Sequence, residues 1–142
     1  MNKFKTQLKL IEEALLKPMS DERAQELDDE KIKIQIDEIK KRSTLNKDGT
    51  YDVDGNVYLD SMGLTEIPLK FGKVNGNFSC SNNSLTNLVG SPIEVNGGFY
   101  CYNNQLTSLI GCPKYVGYDF WCDGFTKKDI KQVCKVEGEI IV

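Results

Sequence analysis

The chain has no histidine, a single tryptophan and no apolar run near the 18 residues that suggest a membrane span. Without histidine, mixed Cys/His zinc sites lose their commonest partner ligand, and Ser–His or Cys–His nucleophilic catalysis has no base. Neither a Gly-x-Ser-x-Gly sequence nor a P-loop lysine is present. Charge is missing from one long stretch, since Glu94 is the only charged residue between Val74 and Pro113. Nucleic-acid binding draws most of its affinity from Lys and Arg neutralising phosphates, and such a stretch cannot supply it. The expectations are no enzymatic activity, no cofactor, no metal, no nucleic-acid partner and no membrane partner. The N-terminal Met1–Lys5 and the mixed charge after it lack the apolar core of a signal peptide, so the expected location is cytoplasmic.

What is present is a repeat. Val74–Pro92 and Val95–Pro113 match position by position at an offset of 21 without a gap. Phe78 answers to Phe99, Cys80 to Cys101, Asn83 to Asn104, Leu85 to Leu106, Leu88 to Leu109 and Gly90 to Gly111. Val53, Val57, Leu59, Leu64 and Ile67 extend the offset backwards, and Val116, Phe120 and Cys122 extend it forwards. A period of this length with an L-x-L-x-x-N-x-L core marks a leucine-rich type of solenoid, in which each coil buries its apolar side on its neighbours. Five cysteines could suggest disulfides or a metal. Cys80, Cys101 and Cys122, however, recur at the repeat period and not at a ligand spacing. They are expected to be small apolar knobs in the core, while Cys112 and Cys134 receive no assignment.

The first 47 residues carry 11 basic and 10 acidic side chains, a mixed balance unlike that of the repeats. Residues 3–17 predict an amphipathic helix, with Phe4, Leu8, Ile11 and Leu15 on one face and Pro18 ending it. Ser20 is placed to cap a second helix over about 20–42, and Asp21 and Glu22 suit its positive end. Leu27, Ile32, Ile36 and Ile39 would form its apolar stripe. Residues 31–36 alternate with period two and also fit a strand, but length and the closing Lys40, Lys41 and Arg42 favour helix. Asp48-Gly49 predicts a hairpin turn that opens the solenoid. These N-terminal elements are expected to cover the first coil, as terminal layers of a stacked array require. Thr126 should cap a helix over 127–135 with Ile130 and Val133 or Cys134 inward, followed by a short strand at 139–142. The predicted fold is thus α+β: a β-solenoid of about four coils with an N-terminal helical segment (1–43) and a solenoid with a C-terminal capping helix (44–142).

In the third coil the predicted strand covers about 99–102, and alternate side chains point to opposite faces. Phe99 and Cys101 face inward and meet Leu106 and Leu109 from the returning arc. Asn83 and Asn104 should satisfy backbone groups at a tight bend, and Gly90 and Gly111 mark the next corner. Subtracting the inward positions leaves Tyr58, Asp60, Ser79, Ser81, Tyr100, Tyr102, Trp121 and Asp123. Stacked strands about 4.8 Å apart would join these eight into one outer patch. Three tyrosines and the tryptophan suit a binding surface; strand propensity alone would also place aromatics there. Asp60 and Asp123, three spacings or roughly 14 Å apart, are too distant for a glycosidase pair, which needs about 5–9.5 Å. Asp52, Asp54 and Asn56 look like half a calcium loop without its closing Glu, and they align with a repeat turn.

Three phrases carry a family resemblance: Asn82-Asn83-x-Leu85-Thr86-x-Leu88-x-Gly90-x-Pro92, Val74-Asn75-Gly76-x-Phe78-x-Cys80, and the run from Asp52 to Val74. In these, residues 44–122 resemble the short leucine-rich-repeat-like proteins of tailed bacteriophages and associated bacteria. The resemblance implies the solenoid fold and a phage accessory protein in the host cytoplasm, binding a host protein, conceivably one of a defence system, through the outer strand face. The alternative expectation is a structural or assembly factor that forms a homo-oligomer through its N-terminal helices.

Overall fold

The computed structural model describes residues 2–16 and 18–142. Among the described residues, two N-terminal helices, α1 (Lys3–Leu16) and α2 (Asp21–Lys41), precede nine short strands, one short helix and a final pair of strands. The expected end of the first helix at residue 17 lies outside the described residues. Asn2 caps α1 through Oδ1, which accepts from the Phe4 amide at 3.0 Å. Ser20 caps α2 as expected, its Oγ accepting from the Arg23 amide at 3.2 Å. Residues 31–36 are helical, so the period-two alternation there does not make a strand. The chain divides into two compact units after Lys31, earlier than the expected 43/44 boundary. Among the described residues no helix is long and apolar enough to cross a membrane.

In the second unit, Ile32–Val142, the Asp48-Gly49 turn joins β1 (Ser43–Leu45) to β2 (Tyr51–Asp54) as an antiparallel hairpin. From β2 onward the chain coils. Each layer contributes two strands: β2 and β3 (Val57–Tyr58), β4 (Phe71–Asn75) and β5 (Phe78–Ser79), β6 (Glu94–Val95) and β7 (Phe99–Tyr100), β8 (Tyr115–Val116) and β9 (Phe120–Trp121), β10 (Lys135–Val136) and β11 (Ile140–Ile141). The result is two sheets, β1-β2-β4-β6-β8-β10, parallel apart from the antiparallel β1–β2 edge, and the all-parallel β3-β5-β7-β9-β11, where the sequence had suggested one principal strand per coil. Four returning arcs link the five layers. Ladder partners Val57, Phe78, Phe99 and Phe120 are offset by 21 throughout.

The core is a set of columns along the solenoid axis. Phe78, Phe99 and Phe120 are fully buried, with ring centroids 5.6 Å and 5.0 Å apart. Phe71 meets Phe78 edge-on at 5.2 Å. Val53, Val74, Val95 and Val116 form a second column, and Cys80, Cys101 and Cys122 a third, with all five cysteines free. Leu85 and Leu88 from the second arc are fully buried. Leu106 and Leu109, expected in the core, are only partly buried against it. The second half of α2 covers the first layer: Ile39 is fully buried, Ile32 packs on the core, and the Gln35 amide donates to the Tyr58 carbonyl at 3.1 Å.

The Asn-Asn pairs divide two jobs. Ser61, Asn82 and Asn103 hold left-handed backbone at φ 55°, 56° and 56°, a region that Asn tolerates better than most residues. The second residue is the ladder. Asn83 Oδ1 accepts from the Met62 and Leu64 amides at 3.0 Å each, and its Nδ2 donates to the carbonyls of Leu59, Cys80 and Ser81. Asn104 does the same for Leu85, Cys80, Cys101 and Tyr102. The fourth arc lacks a ladder Asn, yet Gly124 takes the left-handed position at the same offset, φ 84°. Thr126 then starts α3 (Lys127–Val133) with a reciprocal capping box to Asp129, and Ile130 and Cys134 turn inward while Val133 stays 45% exposed.

Candidate functional site: the outer face of the second sheet

Because the phenylalanines of β5, β7 and β9 point into the core, the next residue of each strand points out. Register places Tyr58 beside Ser79, Ser79 beside Tyr100, and Tyr100 beside Trp121. Tyr58 is 50% exposed and Trp121 38%. Tyr100 and Tyr102 are half-buried, as is Asp60, whereas Asp123 is exposed. The Tyr102 and Trp121 rings, from adjacent coils, lie 4.5 Å apart with a tilt of 36°. Tyr100 lies back over Gly98, where any side chain would collide with its phenol ring. The Tyr102 and Trp121 rings therefore form one packed pair across the third and fourth layers, with Tyr100 beside Trp121 in the strand register.

The eight expected residues do not make a level patch. Ser79 and Ser81, expected on the open face, are 6% and 0% exposed. A small side chain between larger ladder neighbours is screened from both sides, and here both serines are also tied down. Ser79 Oγ donates to Asp60 Oδ1 at 2.5 Å, and the Ser81 amide donates to the same oxygen at 3.0 Å. Asp123 has a matching duty, its Oδ2 accepting from the Asn103 amide at 2.6 Å. Both carboxylates thus bind backbone of an adjacent coil. On the outer face the two closed serines separate Tyr58 from Tyr100 and the Tyr102–Trp121 pair.

Further ladders at the corner between the sheets went unread in the sequence. Asn56 Oδ1 accepts from the Asn77 amide and Asn77 Oδ1 from the Gly98 amide, both at 2.8 Å. Asp54, Asn75 and Asn96 link side chain to side chain. Each bond spans 21 residues, so the signal was available in the spacing. Asp52, the remaining member of the calcium-like run, accepts from the Lys73 and Asn46 nitrogens at 2.8 and 2.9 Å. All three residues of that run serve the repeat turn. Gly97 is needed at this corner because a Cβ there would lie 2.7 Å from the Gly76 backbone.

Four of the five thiols are held in their neutral form, while a hydrogen bond with Cys101 lowers Cys122, itself fully buried. Burial pushes the Cys80 and Cys101 thiols well above their ordinary range, Cys112 up to about 11 and Cys134 up to about 12. A thiol so raised holds almost no thiolate at neutral pH, and the thiolate is the nucleophile and ligand. Among the described residues no three Cys, Asp or Glu side chains converge to hold an ion. A second apolar surface, not singled out by the sequence reading, lies on the arcs: Val89 and Ile110, again 21 apart, are 53% and 66% exposed. In comparisons with known proteins, no family model matches the chain, and no curated protein and no solved structure gives a significant match.

Proposed function

We propose that the chain is a non-catalytic protein-interaction module that binds its partner through the outer face of the second sheet. The observation that carries this reading is the packed pair of Tyr102 and Trp121, their rings 4.5 Å apart on adjacent coils, with Tyr100 beside Trp121 in register. Aromatics held by a rigid scaffold have already lost most of their rotamer freedom, so binding costs less entropy. Their area and polar tips suit the centre of an interface. From the resemblance to short leucine-rich-repeat-like phage proteins, we further propose a phage accessory protein in the host cytoplasm. Its partner would then be a host protein, a component of a defence system being the leading choice.

The test is capture from lysate of an infected or related bacterium, using the full chain and the double variant Tyr100→Ala/Trp121→Ala. The variant should keep its melting temperature within a few degrees, keep its oligomeric state, and lose the captured partner. Undiminished capture by the folded variant would move the binding surface elsewhere, first to Val89 and Ile110.

A further inference from the structure

Helix α1 poses a physical problem of its own. Every described side chain on it is exposed, including Phe4 at 65%, Leu8 at 42%, Ile11 at 56% and Leu15 at 79%. A 14-residue helix alone in water is marginal. Its N-terminal charges worsen matters: Lys3 and Lys5 sit there with no acid in the first turn, and Glu13 lies in the last turn of the described residues, the reverse of what the helix dipole favours. Something must cover this stripe for the helix to persist.

We infer that the cover is α1 of a second copy, joined antiparallel. Phe4, Leu8, Ile11 and Leu15 follow one another at steps of four, three and four, the spacing of a short coiled-coil seam. That spacing reads the same in both directions. When two copies run antiparallel about a point between Lys9 and Leu10, Phe4 meets the second copy's Leu15 and Leu8 meets its Ile11. Charge then selects this direction. Lys5 and Glu12 each follow a seam residue, Phe4 and Ile11, and so lie on the same flank. In the antiparallel pair Lys5 falls between the same two layers as the second copy's Glu12, and the twofold axis makes two such ion pairs. The basic half with Lys3, Lys5 and Lys9 also faces the acidic half with Glu12 and Glu13, and opposed dipoles relieve the end charges. A parallel pair would lay the basic half beside the basic half and leave Lys5 and Glu12 unpaired across the seam. The apolar surface continues from Ile11 and Leu15 along a groove of about 640 Å³ lined also by Leu10, Met19 and Leu27, which gives the second copy further area. This assignment is independent of the strand-face proposal, which concerns another partner.

The test is sedimentation of the full chain over a concentration series up to roughly 100 µM, spanning weak dimers. The native chain should dimerise, and Leu8→Glu/Ile11→Glu should be monomeric with the solenoid melting temperature unchanged. Lys5→Glu and Glu12→Lys should each weaken the dimer about tenfold, since two pairs become repulsive at once. The combined Lys5→Glu/Glu12→Lys variant should recover native affinity, because the swapped pairs meet again only if position 5 faces position 12. A native monomer throughout the series, or a dimer indifferent to Leu8→Glu/Ile11→Glu, would overturn the assignment. A dimer that the charge swap fails to restore would overturn the antiparallel register. Native monomer that instead binds vesicles of phosphatidylglycerol through α1 would identify a lipid surface as the cover and likewise refute the pairing.

Discussion

Phe99→Ala tests the stacking of the coils directly. The Phe99 ring is fully buried and lies between Phe78 at 5.6 Å and Phe120 at 5.0 Å. Truncation removes its own transfer energy and opens a gap inside the column that the backbone ladders on both sides prevent from closing. The cost should be about 3–5 kcal/mol, a large share of the roughly 5–15 kcal/mol that holds a typical domain. Tyr100 is the control, one residue along the same strand but half-buried and lying over Gly98. Tyr100→Ala should cost about 1 kcal/mol or less. In urea, followed by far-UV circular dichroism, a slope near 2 kcal/mol/M would make the Phe99→Ala midpoint fall by about 2 M and the Tyr100→Ala midpoint by about 0.5 M. Phe99→Leu, expected to cost under about 1.5 kcal/mol, keeps the comparison open should the alanine variant fail to fold. Equal losses at 99 and 100 would refute the inward and outward assignment, and with it the binding face.

Two further predictions concern the ladders and the thiols. Asn83→Ala strands the Met62 and Leu64 amides and the Leu59 carbonyl, so it should cost about 2–4 kcal/mol and speed hydrogen exchange at those two amides. Asn82→Gly, one residue earlier in left-handed backbone, should be neutral within about 0.5 kcal/mol; a reversed order would refute the division of labour in the Asn-Asn pair. Burial raises Cys112 to about 11 and Cys134 to about 12 from an ordinary 9.0. The unfolded chain therefore loses these protons first as pH climbs, and stability should be flat below about pH 8 and fall from about 9 towards 12. Melting temperatures across that range check this, and a rise in stability above pH 9 would contradict the sign.

Much of the architecture was legible because a coil that repeats at 21 residues writes its core into the spacing. Phe78, Phe99 and Phe120 could be aligned on paper, and so could the cysteine column and the Asn ladder. The corner between the two sheets was less legible. The run of Asp52, Asp54 and Asn56 aligned with a repeat turn, and nothing local says that this corner carries two extra ladders or that the flanking strands belong to separate sheets. The fourth arc looked like a break because its ladder Asn is gone. Gly124 nevertheless keeps the left-handed bend in place, and Phe125 at the ladder position packs against the core instead.

The sequence alone determined which residues stack, since equal offsets along a coil become neighbours in space whatever the surroundings. It also determined which side of each strand faces out, because alternation is a local property of extended backbone. Only the tertiary structure decided how open that outer side is. Exposure depends on what stands on the adjacent coils, so Ser79 and Ser81 vanish between larger neighbours and the Asp60 carboxylate, while Tyr102 and Trp121 close ranks across two layers. The same holds for α1, whose apolar row was plain in the sequence, while the exposure of Phe4, Leu8, Ile11 and Leu15 is read from the structure.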